Sequence, residues 1–308
     1  MKILVVGAGA VGGYFGGRLL QAGHDITFLV REQRAQELAT RGLVIVSPRG
    51  DVTLPQPPTV RADTLNTPFD LILLSCKAYD LASCIASIRP AVGPATVIVP
   101  LLNGLQHLAV LDAEFGPARV FGGLCQISST LNAQRDIVQL HPGQAMVVGA
   151  RDAAGQATAE AFVQLLRSVD VDARASTQVL QDMWEKWVFI TALAAPTTLM
   201  RTAVGPILQA PGGADFIQAL VAECLAVAAA HGHAPGPGFA SRLALLNDRD
   251  SALTASMLRD MQAGQRIEAD AIIGDMVAHA EQAGIAVPLL KLAYTNAKAY
   301  EATRAAAA

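Results

Sequence analysis

The chain opens with Lys2-Ile3-Leu4-Val5-Val6-Gly7-Ala8-Gly9-Ala10-Val11-Gly12, a run of apolar residues that ends in Gly-x-Gly-x-x-Gly. The apolar run reads as a buried strand and the glycines as a tight turn that opens a helix. Each glycine has its own task. Gly7 permits the turn, Gly9 lets backbone approach a pyrophosphate, and Gly12 lets the helix pack close to the strand. The helix N-terminus at Ala10, Val11 and Gly12 then offers free N–H groups and the positive end of its dipole to the phosphates. A small-residue helix over 12–22 and a second apolar run at 26–30 supply the strand–helix–strand context that such a fingerprint needs.

The same alternation continues outward. Apolar runs at 71–75 and 97–101 flank a helical pattern at 81–88, which predicts βαβ units and a parallel sheet buried on both faces. Strand-like pieces follow at 120–127, 137–140 and 145–149. Asn132 and the turn signal His141-Pro142-Gly143 split them, so an antiparallel or mixed extension of the sheet is expected. From about residue 159 the hydrophobic period changes to 3.6. Helices are predicted over 178–199, 214–231, 254–263, 267–283 and 289 to about 302. Breaks fall at Gly205-Pro206, Pro211-Gly212-Gly213, the run Pro235-Gly236-Pro237-Gly238, Gly264 and Gly284. A polar stretch with Asp170, Asp172 and Arg174 marks the junction. The expected architecture is a Rossmann-type α/β dinucleotide-binding domain over 1–172 and an all-α domain over 173–308, whose alanine tail at 305–308 should fray.

Composition narrows the function classes. The chain has 308 residues, 52% of them hydrophobic, and a net charge of −3 from 23 Lys and Arg against 26 Asp and Glu. That balance leaves no electrostatic footprint for nucleic acid or an anionic membrane surface. Mean hydropathy is positive, at +0.36, which raises a membrane protein as a rival. The uncharged stretch 90–111 is long enough to span a bilayer, but Pro94, Pro100, Asn103, Gly104, Gln106 and His107 interrupt it. The stretch 187–200 is short and holds Pro196, and the glycines at 7, 9, 12 and 13 cut any leader-like run. A cytoplasmic enzyme is the expectation. Cys76, Cys84, Cys125 and Cys224 match neither a disulfide framework nor a zinc site and read as buried free thiols. His231-x-His233 falls at a helix end and is not read as a metal site.

Cofactor choice is read at the tip of the second strand, Leu29-Val30-Arg31. An NAD enzyme places Asp or Glu there for the ribose hydroxyls, whereas a guanidinium suits a 2′-phosphate. Arg31 therefore points to NADP(H), while Glu32 next to it keeps an NAD reading open.

The glycine turn, Lys77 after the third apolar run, Leu102-Asn103-Gly104, Trp184-Glu185-Lys186, and Ala255-Ser256-Met257-Leu258-Arg259-Asp260 with Glu268 beyond resemble the 2-dehydropantoate 2-reductases, or ketopantoate reductases. The likeness runs in order along nearly the whole chain. It implies NADPH-dependent reduction of a 2-oxo acid in pantothenate biosynthesis. By resemblance Lys186 is the proton donor, and Glu268 orients it and bonds the substrate hydroxyl. Ser256 binds the substrate carboxylate, Asn103 touches nicotinamide and substrate, and Lys77 contacts the cofactor.

These residues also have plainer readings. Lys186 can be a helix lysine reaching to solvent, although lysines set among apolar neighbours suit general acid work. Glu268 can simply face water in a first helical turn, Ser256 can cap, and Asn103-Gly104 is a turn signal. The chain departs from the family at Ile190 and Ala194, one and two turns beyond Lys186, where family members commonly carry asparagines. Two hydrogen-bonding amides are thereby lost, which favours a more apolar oxo acid. A 3-hydroxyacid or sugar-acid dehydrogenase, and a non-catalytic NADP-binding sensor, stay open as alternatives. The partner expected is a small 2-oxo acid. The apolar helical faces leave room for a homodimer as well as a core.

Overall fold

The computed structural model describes residues 1–306. Two compact units divide the chain, one built from residues 1–102 and 107–180, the other from 103–106 and from 181 onward. The expected junction at 172/173 thus falls inside a strand of the first unit.

In that unit β1 (Ile3–Val6), α1 (Gly12–Gln21), β2 (Ile26–Leu29), α2 (Glu32–Arg41), β3 (Leu43–Val46), β4 (Val52–Leu54), β5 (Thr59–Val60), β6 (Phe69–Leu74), α3 (Leu81–Ile88) and β7 (Val92–Pro100) follow in order. Five of the strands form a parallel sheet in the order β5-β2-β1-β6-β7. All of β1 and the last four residues of β6 are buried, so they read as continuous apolar runs rather than alternating ones. The chain leaves β1 toward β2 on one side and returns to β6 on the other. That reversal makes the carboxyl end of β1 a topological switch point, where such sheets bind ligands.

The rest of the unit is α4 (Gln106–Phe115, its first residue in the second unit), β8 (Gly122–Leu131), β9 (Ile137–Gly149), α5 (Gln156–Arg167) and β10 (Asp172–Ala175). Instead of extending the first sheet, these strands build a second, mixed sheet. Its order is β10-β9-β3-β4, with β8 antiparallel along β9. The predicted break at His141-Pro142-Gly143 does not occur, because β9 runs through it. Opposite it β8 shifts register between Ile127 and Ser129, and at such a bulge the missing proline N–H costs no ladder bond. Asp172 and Arg174, expected in a connection, are the exposed positions of β10, while Ala173 between them is buried. A buried polar knot ties α1 to this sheet. The Tyr14 hydroxyl lies 2.9 Å from Gln139 Oε1, which also accepts from Ser47 Oγ at 2.6 Å.

The second unit is helical: α6 (Val179–Met200, its first two residues in the first unit), α7 (Val204–Gln209), α8 (Gly213–Ala230), α9 (Phe239–Leu243), α10 (Ser256–Gln262), α11 (Asp275–Gln282) and α12 (Pro288–Ala306). Gly205-Pro206 starts α7 instead of breaking the chain, since a proline in a first turn forfeits no helical bond. α8 has the length and composition of a membrane span. Its buried stripe of Ile217, Leu220, Cys224 and Val227 nevertheless lies in the unit's core. Glu223 on the same helix accepts from the Leu289 and Leu290 amides at 3.0 and 2.9 Å, and so caps α12. The helix predicted from 267 begins at residue 269 and passes through a π-helical turn, Asp270–Gly274, before α11. Of the alanine tail, residues 305–306 belong to α12, and 307–308 lie outside the described residues.

Candidate active site

The glycine turn is packed from behind and open in front. Gly7 has φ +93°, a conformation that favours glycine. Ser75, just past β6, donates to the Val6 carbonyl at 2.8 Å. A Cβ on Gly12 would lie 2.0 Å from Ser75 Oγ and 2.5 Å from the Gly7 carbonyl oxygen, whereas one on Gly9 would meet nothing within 4 Å. Two turn carbonyls are tied down: Arg34 Nε donates to Ala8 O at 3.2 Å and Ser129 Oγ to Ala10 O at 3.0 Å. With the carbonyls held back, the open face at Gly9 and the first turn of α1 fit a pyrophosphate.

Arg31 sits at the N-cap position of α2, its side chain 76% exposed and 3.2 Å from Asp80. Glu32, the residue that kept an NAD reading open, is ion-paired with Arg61. Arg61 follows the two-residue β5, whose Val60 pairs with Leu29, so it stands beside the tip of β2. The sequence reading missed it, because a strand of two residues leaves no periodic signal. Lys77 is half-buried at the start of a 3₁₀ turn, Ala78–Asp80, and its carbonyl accepts from the Asp80 N–H at 2.9 Å.

In the helical unit the structure brings Asn103 and Lys186 together. Lys186 Nζ donates to Asn103 Oδ1 at 3.1 Å. Lys186 is half-buried on α6 between the buried Trp184 and Trp187; one turn on Ile190 is half-buried, and two turns on Ala194 is 1% exposed. Gly104, with φ +75°, presses on the π-helical turn, since a Cβ there would lie 2.1 Å from Ala271 O. From the other side, Trp187 Nε1 and Thr191 Oγ1 both donate to Ile272 O, at 2.9 and 3.0 Å. π turns are rare and recur at functional sites. The lysine helix, the asparagine turn and the π turn are therefore locked together.

Glu268 is buried, 7% exposed, in the segment that leads into this turn. It is not in a first helical turn facing water as its plain reading expected, because the helix starts one residue later. Ser256 is the exposed first residue of α10, whose N-cap is Ala255. Behind Lys186, the Trp184 ring stacks on His231 and His233, with centroids 5.6 and 5.2 Å apart. No cluster of potential metal ligands occurs among the described residues.

A glycine-turn sheet followed by a helical unit carrying a lysine–asparagine pair has the layout of a dinucleotide-dependent oxidoreductase. Family models described as "Ketopantoate reductase PanE/ApbA" and its C-terminal region match residues 3–153 and 178–301. The chain belongs to this ketopantoate reductase family, whose members are oxidoreductases acting on CH–OH groups and binding a nicotinamide dinucleotide. It is 36% identical over 305 residues to the uncharacterized oxidoreductase YkpB of Bacillus subtilis, covering 99% of this chain and all of that protein. The crystal structure of 2-dehydropantoate 2-reductase from Geobacter metallireducens superposes with a TM-score of 0.86 at 28% identity, covering 97% of this chain and 99% of that one. The ternary structure of D-mandelate dehydrogenase with NADH and anilino(oxo)acetate shares the fold, with a TM-score of 0.88 at 20% identity and 99% of each chain covered.

Proposed function

We propose that the protein catalyses NADPH-dependent reduction of 2-dehydropantoate to pantoate. The hydrogen bond from Lys186 to Asn103 carries this reading, because it presents an oriented ammonium in a chain of this family. NADPH, when bound, supplies the hydride. Gly7, Gly9, Ala10, Val11 and Gly12 hold its pyrophosphate, Arg31 its 2′-phosphate, and Lys77 adds a further contact. The exposed guanidinium of Arg31 and the engagement of Glu32 by Arg61 both favour the phosphorylated cofactor. As the keto carbon is reduced, negative charge builds on its oxygen. Lys186 stabilises that charge and hands over a proton. Asn103 aims the ammonium, Glu268 bonds the substrate hydroxyl, and Ser256 receives the substrate carboxylate.

Ile190 and Ala194 favour a second reading, a more apolar 2-oxo acid. They put aliphatic side chains on α6 one and two turns beyond Lys186, the half-buried Ile190 and the wholly buried Ala194, with no amide to reward a substrate hydroxyl. Both readings are tested by following cofactor absorbance over a panel of 2-oxo acids, with NADPH and with NADH. 2-Dehydropantoate should give the highest kcat/KM, with NADPH preferred. Preference for a branched or aromatic oxo acid would transfer the assignment to the second reading, and no turnover of any acid would refute both.

A further inference from the structure

Arg34 stands where a cation is least favoured. It is the third residue of α2, at the positive end of the helix dipole, and it is buried, 9% exposed. Two contacts hold it there. Its Nε donates to the Ala8 carbonyl oxygen at 3.2 Å, and its Nη1 donates to Glu37 Oε2 at 3.0 Å, one turn along the helix. The same Glu37 oxygen accepts from Arg135 Nε at 2.8 Å. Arg135 belongs to the turn over 132–136 that joins β8 to β9, where the Asp136 N–H donates to Asn132 Oδ1 at 2.8 Å. A second tie, Arg41 to Asp136 at 3.2 Å, fixes the far end of α2 to that turn. A guanidinium–carboxylate–guanidinium chain thus runs from the second sheet to the glycine turn. From it we infer that Arg34 is a positioning residue for the dinucleotide, an inference that rests on the cofactor binding proposed above. Arg34 holds the Ala8–Gly9 peptide so that the Gly9 N–H faces the pyrophosphate, and Glu37 and Arg135 hold Arg34.

The carbonyl of a trans peptide and the N–H that follows it lie in one plane and point in opposite directions. Tying the Ala8 oxygen to Arg34 therefore turns the Gly9 N–H the other way, at the residue where the turn is open. Ser129 does the same for the Ala10 carbonyl, and so for the Val11 N–H. Restraint matters most at Gly9, which has no Cβ to limit its φ. A rotated peptide would set the partial negative charge of a carbonyl against the phosphates. The pyrophosphate is common to both nicotinamide dinucleotides, so Arg34 should serve NADPH and NADH alike. Arg31, placed for a 2′-phosphate, should serve NADPH alone.

The test titrates NADPH and NADH by their fluorescence into the native protein, Arg34→Ala, Arg34→Lys and Arg135→Ala, each shown to be folded by circular dichroism. Steady-state kinetics follow on the same proteins. Arg34→Ala should weaken both dinucleotides by the same factor, about fivefold or more. The cofactor KM should rise with it, while kcat at saturation stays near the native value. Arg34→Lys should recover part of the affinity, since an ammonium can still donate to the Ala8 oxygen. Arg135→Ala, acting through Glu37, should give a smaller loss that is again equal for the two cofactors. Native affinity in folded Arg34→Ala, or a loss confined to NADPH, would overturn the inference. If Arg34→Ala does not fold, unchanged affinity in both Arg34→Lys and Arg135→Ala would overturn it. Native protein that binds neither dinucleotide would refute the function proposed above, and the positioning role with it.

Discussion

Asn103 and Lys186 are 83 residues apart in sequence and meet through one hydrogen bond of 3.1 Å. Neither residue announces this alone: an Asn-Gly pair is a turn, and a helix lysine is usually solvated. In the proposed function, their meeting makes the amide oxygen an aiming device for the ammonium. Asn103→Ala is therefore expected to lower kcat by at least about tenfold, within the usual span for disturbed acid catalysis, with little change in NADPH affinity. Asn103→Asp should disturb kcat less, since a carboxylate also accepts from the lysine. The cofactor prediction belongs to Arg31. Losing a charge-assisted bond to phosphate costs ~1.5–3 kcal/mol, so Arg31→Ala should raise the KM for NADPH by about tenfold or more. The KM for NADH should barely move, and equal effects on both cofactors would show that Arg31 does not read the 2′-phosphate.

The π turn Asp270–Gly274 is the element that joins the lysine helix to the asparagine turn. Thr191 is wholly buried and supplies one of the two donors to Ile272 O. Thr191→Val keeps the shape and removes the donor, which should cost ~1–3 kcal/mol of stability. Thr191→Ser should restore most of it, as read from urea midpoints. Gly104→Ala should be worse, because its Cβ meets the Ala271 carbonyl and its φ is positive. Much of the first unit's sheet was legible in the sequence: 3–6 and 81–88 match β1 and α3 to the residue. The π turn was not legible, since a helical period over 267–283 looks the same whether or not one turn is underwound. The strands β4 and β5, of three and two residues, escaped for want of length, and Arg61 escaped with β5, whereas β10 read as a polar connection because Asp172 and Arg174 take its exposed positions. Candidate residues were found mainly by resemblance. Beside their plain readings as turn, cap and solvated lysine, the fold adds one contact that the sequence did not show, that of Asn103 with Lys186.

Over the whole molecule, the proposed function assigns cofactor binding to a switch-point sheet and proton transfer to a helical unit. Each unit keeps its own apolar cluster, so the apolar excess of the sequence becomes two cores. A pH response is expected of the helical core. His279 Nδ1 lies 3.5 Å from Asp275 Oδ1, with His231, Trp184 and Trp187 around the ring. Its hydrogen bond to Asp275 raises the imidazole pKa, while partial burial opposes the rise. A folded value above the unfolded value of about 6.5 stabilises the protein fully below that pH, and the stabilisation is lost as pH rises through the folded value. The Tm advantage of the native chain over Asp275→Asn should accordingly be larger at about pH 5.5 than at about pH 9. An advantage independent of pH would remove His279 from the explanation. The proposed chemistry turns on Lys186, and a steady-state assay of Lys186→Ala with NADPH and the preferred 2-oxo acid is its sharpest test. If Lys186 is the proton donor, kcat should fall by about 100-fold or more, with NADPH still bound at native affinity. A variant that turns over at a rate close to that of the native protein would contradict it.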